Sequence, residues 1–269
     1  MHWILEKLTD NIDKSGQDKA LIALVDILVS KKISHSFHQI IPFIGEAYPP
    51  VNKNIKNAIC IGPYSMRFLS KENKLFPGVF DIEEFDFSIQ KEKWGKEMLN
   101  YDSVITSFNT LDELPNEKLF FVRPIDDSKC FAGNIFTGKD LNEWKRNILN
   151  LDSYGDNNGD LNGNTLIQIS SVKDILEEYR FWIVEGNIIT YSLYKKGNKV
   201  ITSADVNSDV IDYVKNIISI WEPHKAFVLD VARLKKGFKV IEINTLNAAG
   251  FYRANLESIV DALEKSFTV

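Results

Sequence analysis

AFVLDVARLKKGFKVIEINTLNAAG, residues Ala226 to Gly250, is the stretch whose reading decides the fold. Two apolar, alternating runs flank Lys235-Lys236-Gly237, which reads as a three-residue hairpin loop with glycine at the position that needs a left-handed backbone. In that register Asp230 sits directly across from Glu242, and Asn244, two residues further on, points to the same side. Two carboxylates about 5 Å apart on one sheet face repel each other unless something positive lies between them. Two acids and an amide offer hard oxygen ligands of the kind Mg²⁺ takes, usually together with phosphate oxygens. A solvated sheet face is the plain alternative. The Val, Ile, Leu and Phe content of both strands and the small-residue turn Asn247-Ala248-Ala249-Gly250 weigh against it. The expectation is a divalent-cation site that holds a nucleotide's phosphates.

The 269 residues are enough to bury a large core in one domain or two, and 44% hydrophobic with 26% charged residues is ordinary for a globular chain. A net charge of −5 gives no overall attraction for nucleic acid or anionic lipid. Cys60 and Cys130 form no CxxC pattern, and His35-x-x-His38 reads as packing within a strand rather than as a zinc ligand pair. Reduced, cytoplasmic thiols are therefore expected. Charge at Glu6 interrupts the start of the chain, so no secretory leader is read there, and the Ala20–Val29 run is too short to span a bilayer.

Along the chain, Trp3-Ile4-Leu5, a helix over Asp18–Lys31, a strand within Ile33–Phe43 and the buried-strand pattern Asn57–Ile61 predict a small α/β lobe with parallel strands. Ser65 and Arg67 follow its last strand, where open α/β sheets place ligand contacts; a structural role for Arg67 is the alternative. A charged segment with a helix follows. Leu119-Phe120-Phe121-Val122 then reads as a strand running into Arg123-Pro124 and a glycine-containing loop. Arg123 there contacts phosphate or pairs with Asp126 or Asp127.

Two decoys are set aside. Gly133 to Asp140 nearly matches a phosphate-binding P-loop, but Asp140 stands where a hydroxyl is required and Ile135-Phe136 reads as strand. Asp152 to Asn164 imitates a calcium loop, yet Ile169 occupies its last ligand position, so a hairpin loop is expected. Strands are predicted at Thr165–Ile169 and Glu178–Val184, with a return through Ile188–Tyr194 and the turn carried by Gly186-Asn187. Val206 to Trp221 and Leu256 to Phe267 read as amphipathic helices.

In this order of elements the chain resembles the ATP-grasp superfamily from about Phe120 onward. Asp230 with Glu242-Ile243-Asn244 looks like that family's metal-binding acid and its ExN signature. Glu178-Tyr179-Arg180-Phe181-Trp182 resembles the start of its C-terminal subdomain, and Phe121-Val122-Arg123-Pro124 its first nucleotide-contacting strand. Lys129-Cys130-Phe131-Ala132-Gly133 looks like the loop that covers the phosphates. More narrowly, the chain is similar to a divergent clade known mostly from bacterial and phage genomes, with arginine at 123 where most relatives carry lysine.

The resemblance implies an α+β, ATP-grasp fold preceded by a Rossmann-like lobe. The lobe would span residues 1–90 and the ATP-grasp domain 91–269, its subdomains at about 116–170 and 171–269. It implies ATP and Mg²⁺ as cofactors, and ligation of a carboxylate substrate to an amine or thiol acceptor through an acyl-phosphate. The acceptor or donor could be an amino acid or peptide. Mg²⁺ would sit on Asp230, Glu242 and Asn244. Arg123 and Lys129 would grip phosphate oxygens, and Arg180, on the facing strand, would stabilise the transferred phosphoryl group. Adenine would lie against Gln168, Ile169 and Ser171 in a hinge, and Lys195 is a further nucleotide contact. A nucleotide-binding regulatory module and a phosphotransferase remain alternatives. The oligomeric state stays open.

Overall fold

The computed structural model describes residues 1–7, 16–42, 44–83, 85–125, 130–153 and 161–268. In chain order its regular elements are β1 His2–Glu6, α1 Gly16–Ser30, β2 His35–Ile41, β3 Glu46–Tyr48, β4 Asn57–Ile61, α2 Met66–Asn73, β5 Phe76–Gly78 and α3 Phe87–Trp94. These are followed by β6 Val104–Ser107, β7 Leu119–Pro124, β8 Asn134–Thr137, α4 Gly138–Ser153, β9 Leu166–Ser171, β10 Glu177–Val184 and β11 Asn187–Lys196. The last are β12 Lys199–Ser203, α5 Ser208–Ile220, β13 Ala226–Arg233, β14 Phe238–Asn244 and α6 Leu256–Phe267.

The chain divides into two compact units. One joins Met1–Glu83 to Ile175–Val269, and the other is Glu84–Asp174. In the first unit, β3-β2-β1-β4-β5 make a sheet that is parallel except at β3, and β12-β11-β10-β13-β14 make a second, antiparallel one. The apolar spacing of α1 brings Leu24 and Leu28 into a single core with Trp3, Leu5 and Ile59 of the first sheet and Trp182, Val228, Ile259 and Leu263 of the second half. The opening lobe and the closing sheet therefore fold on shared hydrophobic surface, the dominant stabilising term. Trp3 Nε1 donates to Glu264 at 2.7 Å and Lys31 pairs with Asp261 at 2.7 Å, fastening α6 to the lobe.

Trp182, Val228 and Asp230 share one face of the second sheet by alternation and register. The face that carries the acids is thus the face packed into the core further along the strands. That continuity explains why Asp230 is only 2% exposed.

In the second unit the sheet order is β6-β9-β7-β8. Phe120, Val122, Ile167 and Ile169 face Leu141 and Ile148 of α4 and form its core. The opposite face carries Arg123 across from Gln168, and around them Leu119, Ile135, Ile105 and Leu166 stay exposed.

Some elements differ from the expectation and others match it. α4 begins at Gly138, inside the rejected P-loop match; β8 covers the Ile135-Phe136 pair read as strand. α2 takes Arg67 into its first turn, where the sequence suggested a loop. The hairpin between β10 and β11 turns on Glu185 and Gly186, with φ of 47° and 71°, one residue earlier than expected, and Val184 pairs with Asn187. Most of the Asp152–Asn164 stretch, residues 154–160, lies outside the described residues.

Candidate functional site

Asp230 and Glu242 are direct cross-strand partners, as the sequence register requires, but by a different route. The hairpin loop has four residues, not three: Arg233 pairs with Phe238 and Leu234 N donates to Gly237 O at 2.9 Å. Continued without interruption, that register would set Asp230 against Ile241 and turn Glu242 to the other face. A β-bulge shifts the pairing between Asp230 and Val231, so Ile241 becomes the extra residue and Glu242 returns beside Asp230. Gly237, at φ 79°, supplies the left-handed turn residue.

Asn244 completes the group. Its Nδ2 lies 3.3 Å from Asp230 Oδ2 and 3.5 Å from Glu242 Oε1. Two carboxylate oxygens thus converge on one amide, and rotating that amide by half a turn presents its oxygen to the same point. A hard, all-oxygen donor set of this kind fits Mg²⁺, which completes its octahedron with water or phosphate oxygens. The described residues hold no cluster of three or more His, Cys, Asp or Glu side chains suited to a metal, so a donor set here would have to include the amide.

Arg180 departs from the expected layout. It does not sit on a facing wall: β10 is the hydrogen-bonded neighbour of β13, and Arg180 pairs in register with Asp230. Its Nε donates to Oδ1 at 2.8 Å and its Nη2 to Oδ2 at 2.7 Å, a bidentate fork, while Nη1 donates to the Gly250 carbonyl at 3.3 Å. Burial pushes the Asp230 carboxyl up; the Arg180 charge opposes this, and Glu242 and Glu178 add to it. Burial works against the guanidinium as well, but Asp230 raises it and holds it protonated.

The sequence did not single out the aromatic residues around this pair. The Arg180 guanidinium lies 5.5 Å from the Tyr194 ring centre and 5.3 Å from that of Tyr252. The two rings stack at 5.0 Å with 10° between their planes. Tyr194 is the extra residue of another bulge, where Glu178 pairs with Lys195 and Tyr179 with Leu193; its hydroxyl donates to Glu178 at 2.8 Å. Lys195, expected at the nucleotide, pairs with Glu178 at 2.6 Å. Tyr252 is held at φ 49°, while Phe251 beside it stacks on buried Trp182. No local sequence signal marks Tyr252: a left-handed backbone is uncommon for a bulky residue, and here it follows core-packed Phe251.

In the second unit, Gln168 is 0% exposed, and among the described residues neither end of its amide has a hydrogen-bond partner. Ile169 points into the α4-facing core, which leaves only its backbone for a ligand. Ser171 donates to Asp102 at 2.6 Å. Lys129 lies outside the described residues. Arg67, the contact suggested for the lobe, pairs with Asp81 and packs on Tyr64.

A family model for an ATP-grasp domain, the third family of its clade within that superfamily, matches residues 39–263. Among solved structures, D-cycloserine synthetase DcsG superposes with a TM-score of 0.66 at 10% identity, covering 99% of this chain and 100% of that one. D-alanine–D-alanine ligase from Bacillus anthracis, complexed with ATP, gives 0.53 at 13% identity over 99% and 96%. D-alanyl-alanine synthetase A from Vibrio cholerae gives 0.59 at 8% identity over 100% and 98%. At these identities the likeness establishes the fold. No curated protein matches the sequence.

Proposed function

The chain belongs to this ATP-grasp family, and from that premise we propose that it is an ATP-dependent carboxylate–amine ligase. The observation that carries the reading is the convergence of Asp230 and Glu242 on the Asn244 amide. These three residues would hold Mg²⁺, which when bound neutralises charge on the β- and γ-phosphates during transfer.

In the proposed reaction a substrate carboxylate oxygen attacks the γ-phosphorus of ATP, and the bond to the β-γ bridging oxygen breaks as ADP leaves. An amine nitrogen then attacks the acyl carbon. Phosphate departs with the carbon–oxygen bond pair, and the amine gives up a proton. No side chain serves as nucleophile. We assign phosphate contacts to Arg123 and Lys129, the adenine to the strand around Gln168, Ile169 and Ser171, and a further contact to Lys195. The exposed apolar face around Arg123 supports the adenine assignment, since a base seeks apolar surface beside a phosphate-binding cation. Arg180 acts at the metal site through Asp230.

The test is release of ADP and phosphate from MgATP with a panel of carboxylic acids and amines, amino acids included, with mass spectrometry for the amide. Turnover should need both an acid and an amine and should vanish in Glu242→Ala. Activity surviving that substitution sinks the metal assignment. A stable phosphorylated product without amide identifies a phosphotransferase, and tight nucleotide binding with no turnover identifies a regulatory module.

A further inference from the structure

The proposed metal site contains a protein cation already placed on one of its ligands. We propose that Arg180 is the positioning residue of this site: it holds Asp230 in place and, while no nucleotide is bound, keeps divalent cations from settling there alone. The inference rests on the metal reading of Asp230, Glu242 and Asn244.

Both Asp230 oxygens are engaged by one planar fork, at 2.8 and 2.7 Å, and the third guanidinium nitrogen is tied to the Gly250 carbonyl. Tyr194 and Tyr252 stack on each other and together lie along one side of the group, and each is itself held in place. Tyr194 is anchored through Glu178, and Tyr252 follows core-bound Phe251 with a backbone in the left-handed region. A non-glycine residue keeps such a φ only where its surroundings enforce it. An arginine held by these contacts cannot swing to a transferring phosphoryl group without giving up the bidentate pair and its place beside the two tyrosine rings. A bare divalent cation approaching Asp230 meets the guanidinium charge on the same oxygens. Nucleotide phosphates bring the negative charge that offsets this repulsion, so cation and nucleotide enter together.

The test is Mn²⁺ binding to the full chain by titration calorimetry and electron paramagnetic resonance, with and without a non-hydrolysable ATP analogue. Arg180→Gln removes the guanidinium charge, and its nucleotide-free Mn²⁺ affinity should rise at least tenfold over wild type. Its melting temperature should climb further with added Mn²⁺ than that of wild type. Arg180→Lys, which keeps the charge, should stay within about threefold of wild type. Tyr252→Ala removes one of the two rings beside the guanidinium without touching the pair and decides the matter if Arg180→Gln does not fold; it should tighten nucleotide-free Mn²⁺ binding severalfold. Unchanged or weaker nucleotide-free binding in the folded variants, with only the ATP-analogue complex impaired, overturns the proposal and makes Arg180 a phosphate ligand. If wild type binds no Mn²⁺ even with the analogue, the metal reading itself fails.

Discussion

Separating Arg180 from Asp230 should be among the costliest single changes available in this fold. The two groups meet at 2.8 and 2.7 Å, with side chains 11% and 2% exposed. At that separation and an effective dielectric of about 20, a unit charge pair attracts by about 6 kcal/mol, and desolvating both groups offsets most of it. Removing one partner forfeits the attraction and leaves the desolvation cost, so the loss is about 3–5 kcal/mol. Asp230→Asn should lie at the lower end of that range, because its amide oxygen still accepts one bond from Arg180. The isosteric apolar double variant Arg180→Met/Asp230→Leu should be less damaging than the sum of its single changes by at least about 2 kcal/mol. Urea unfolding, followed by circular dichroism and tryptophan fluorescence, measures each corner of the cycle. If the two single effects add to within about 0.5 kcal/mol, the pair is not coupled and this account of the site is wrong.

Two further outcomes follow from other parts of the molecule. Hydrogen bonds from Arg233, and then from Tyr179 and Lys196, hold the Glu177 carboxyl down at about 2, against a usual value of 4.5, although burial works the other way. A depressed carboxyl binds fewer protons folded than unfolded between those values, so it stabilises the protein fully above about pH 4.5 and loses that contribution as pH falls toward 2. With Arg233 and Lys196 partly exposed, screening limits the contribution to about 1–2 kcal/mol. Glu177→Gln should therefore flatten the acid limb of the stability–pH curve, and an unchanged limb refutes the assignment. Gly138→Ala should cost the second unit about 2–3 kcal/mol, read from its melting transition, because the added Cβ would lie 2.0 Å from the Pro115 carbonyl oxygen. That backbone cannot yield easily: Asn142 bonds both Leu114 N and Leu114 O, and Gly138 N bonds Lys118 O.

How much of this was legible in the sequence differs from element to element for physical reasons. β1, β4 and the long amphipathic helices α5 and α6 carry their burial pattern locally, and α6 appears with the boundaries the spacing predicts. β3 and β5 have three residues each and β12 is an exposed edge, so none has enough one-sided burial to imprint a pattern. α4 carries Leu141, Trp144 and Ile148 at helical spacing, yet its first turn coincides with a near-match to a phosphate loop that drew the reading elsewhere.

The acid pair is the instructive case. A three-residue loop with no bulge and a four-residue loop with one bulge place Asp230 against Glu242 alike, because each extra residue shifts the register by one and the two shifts cancel. The sequence contains the reason in muted form. Val240 and Ile243 are both buried and stand three apart, so regular alternation would put them on opposite faces; with Ile241 extruded they pair with Val231 and Leu229 and share one face. The same device at Tyr194 turns an aromatic ring toward Arg180. Both bulges border the acid face, and both alter which side chains reach it without altering which strands pair. Alternation therefore carries information about this site only as far as the ladder is regular. Where the ladder breaks, the site is set by the packing of neighbouring strands, by Phe251 against Trp182 and by the bidentate grip of Arg180, none of which a single segment records.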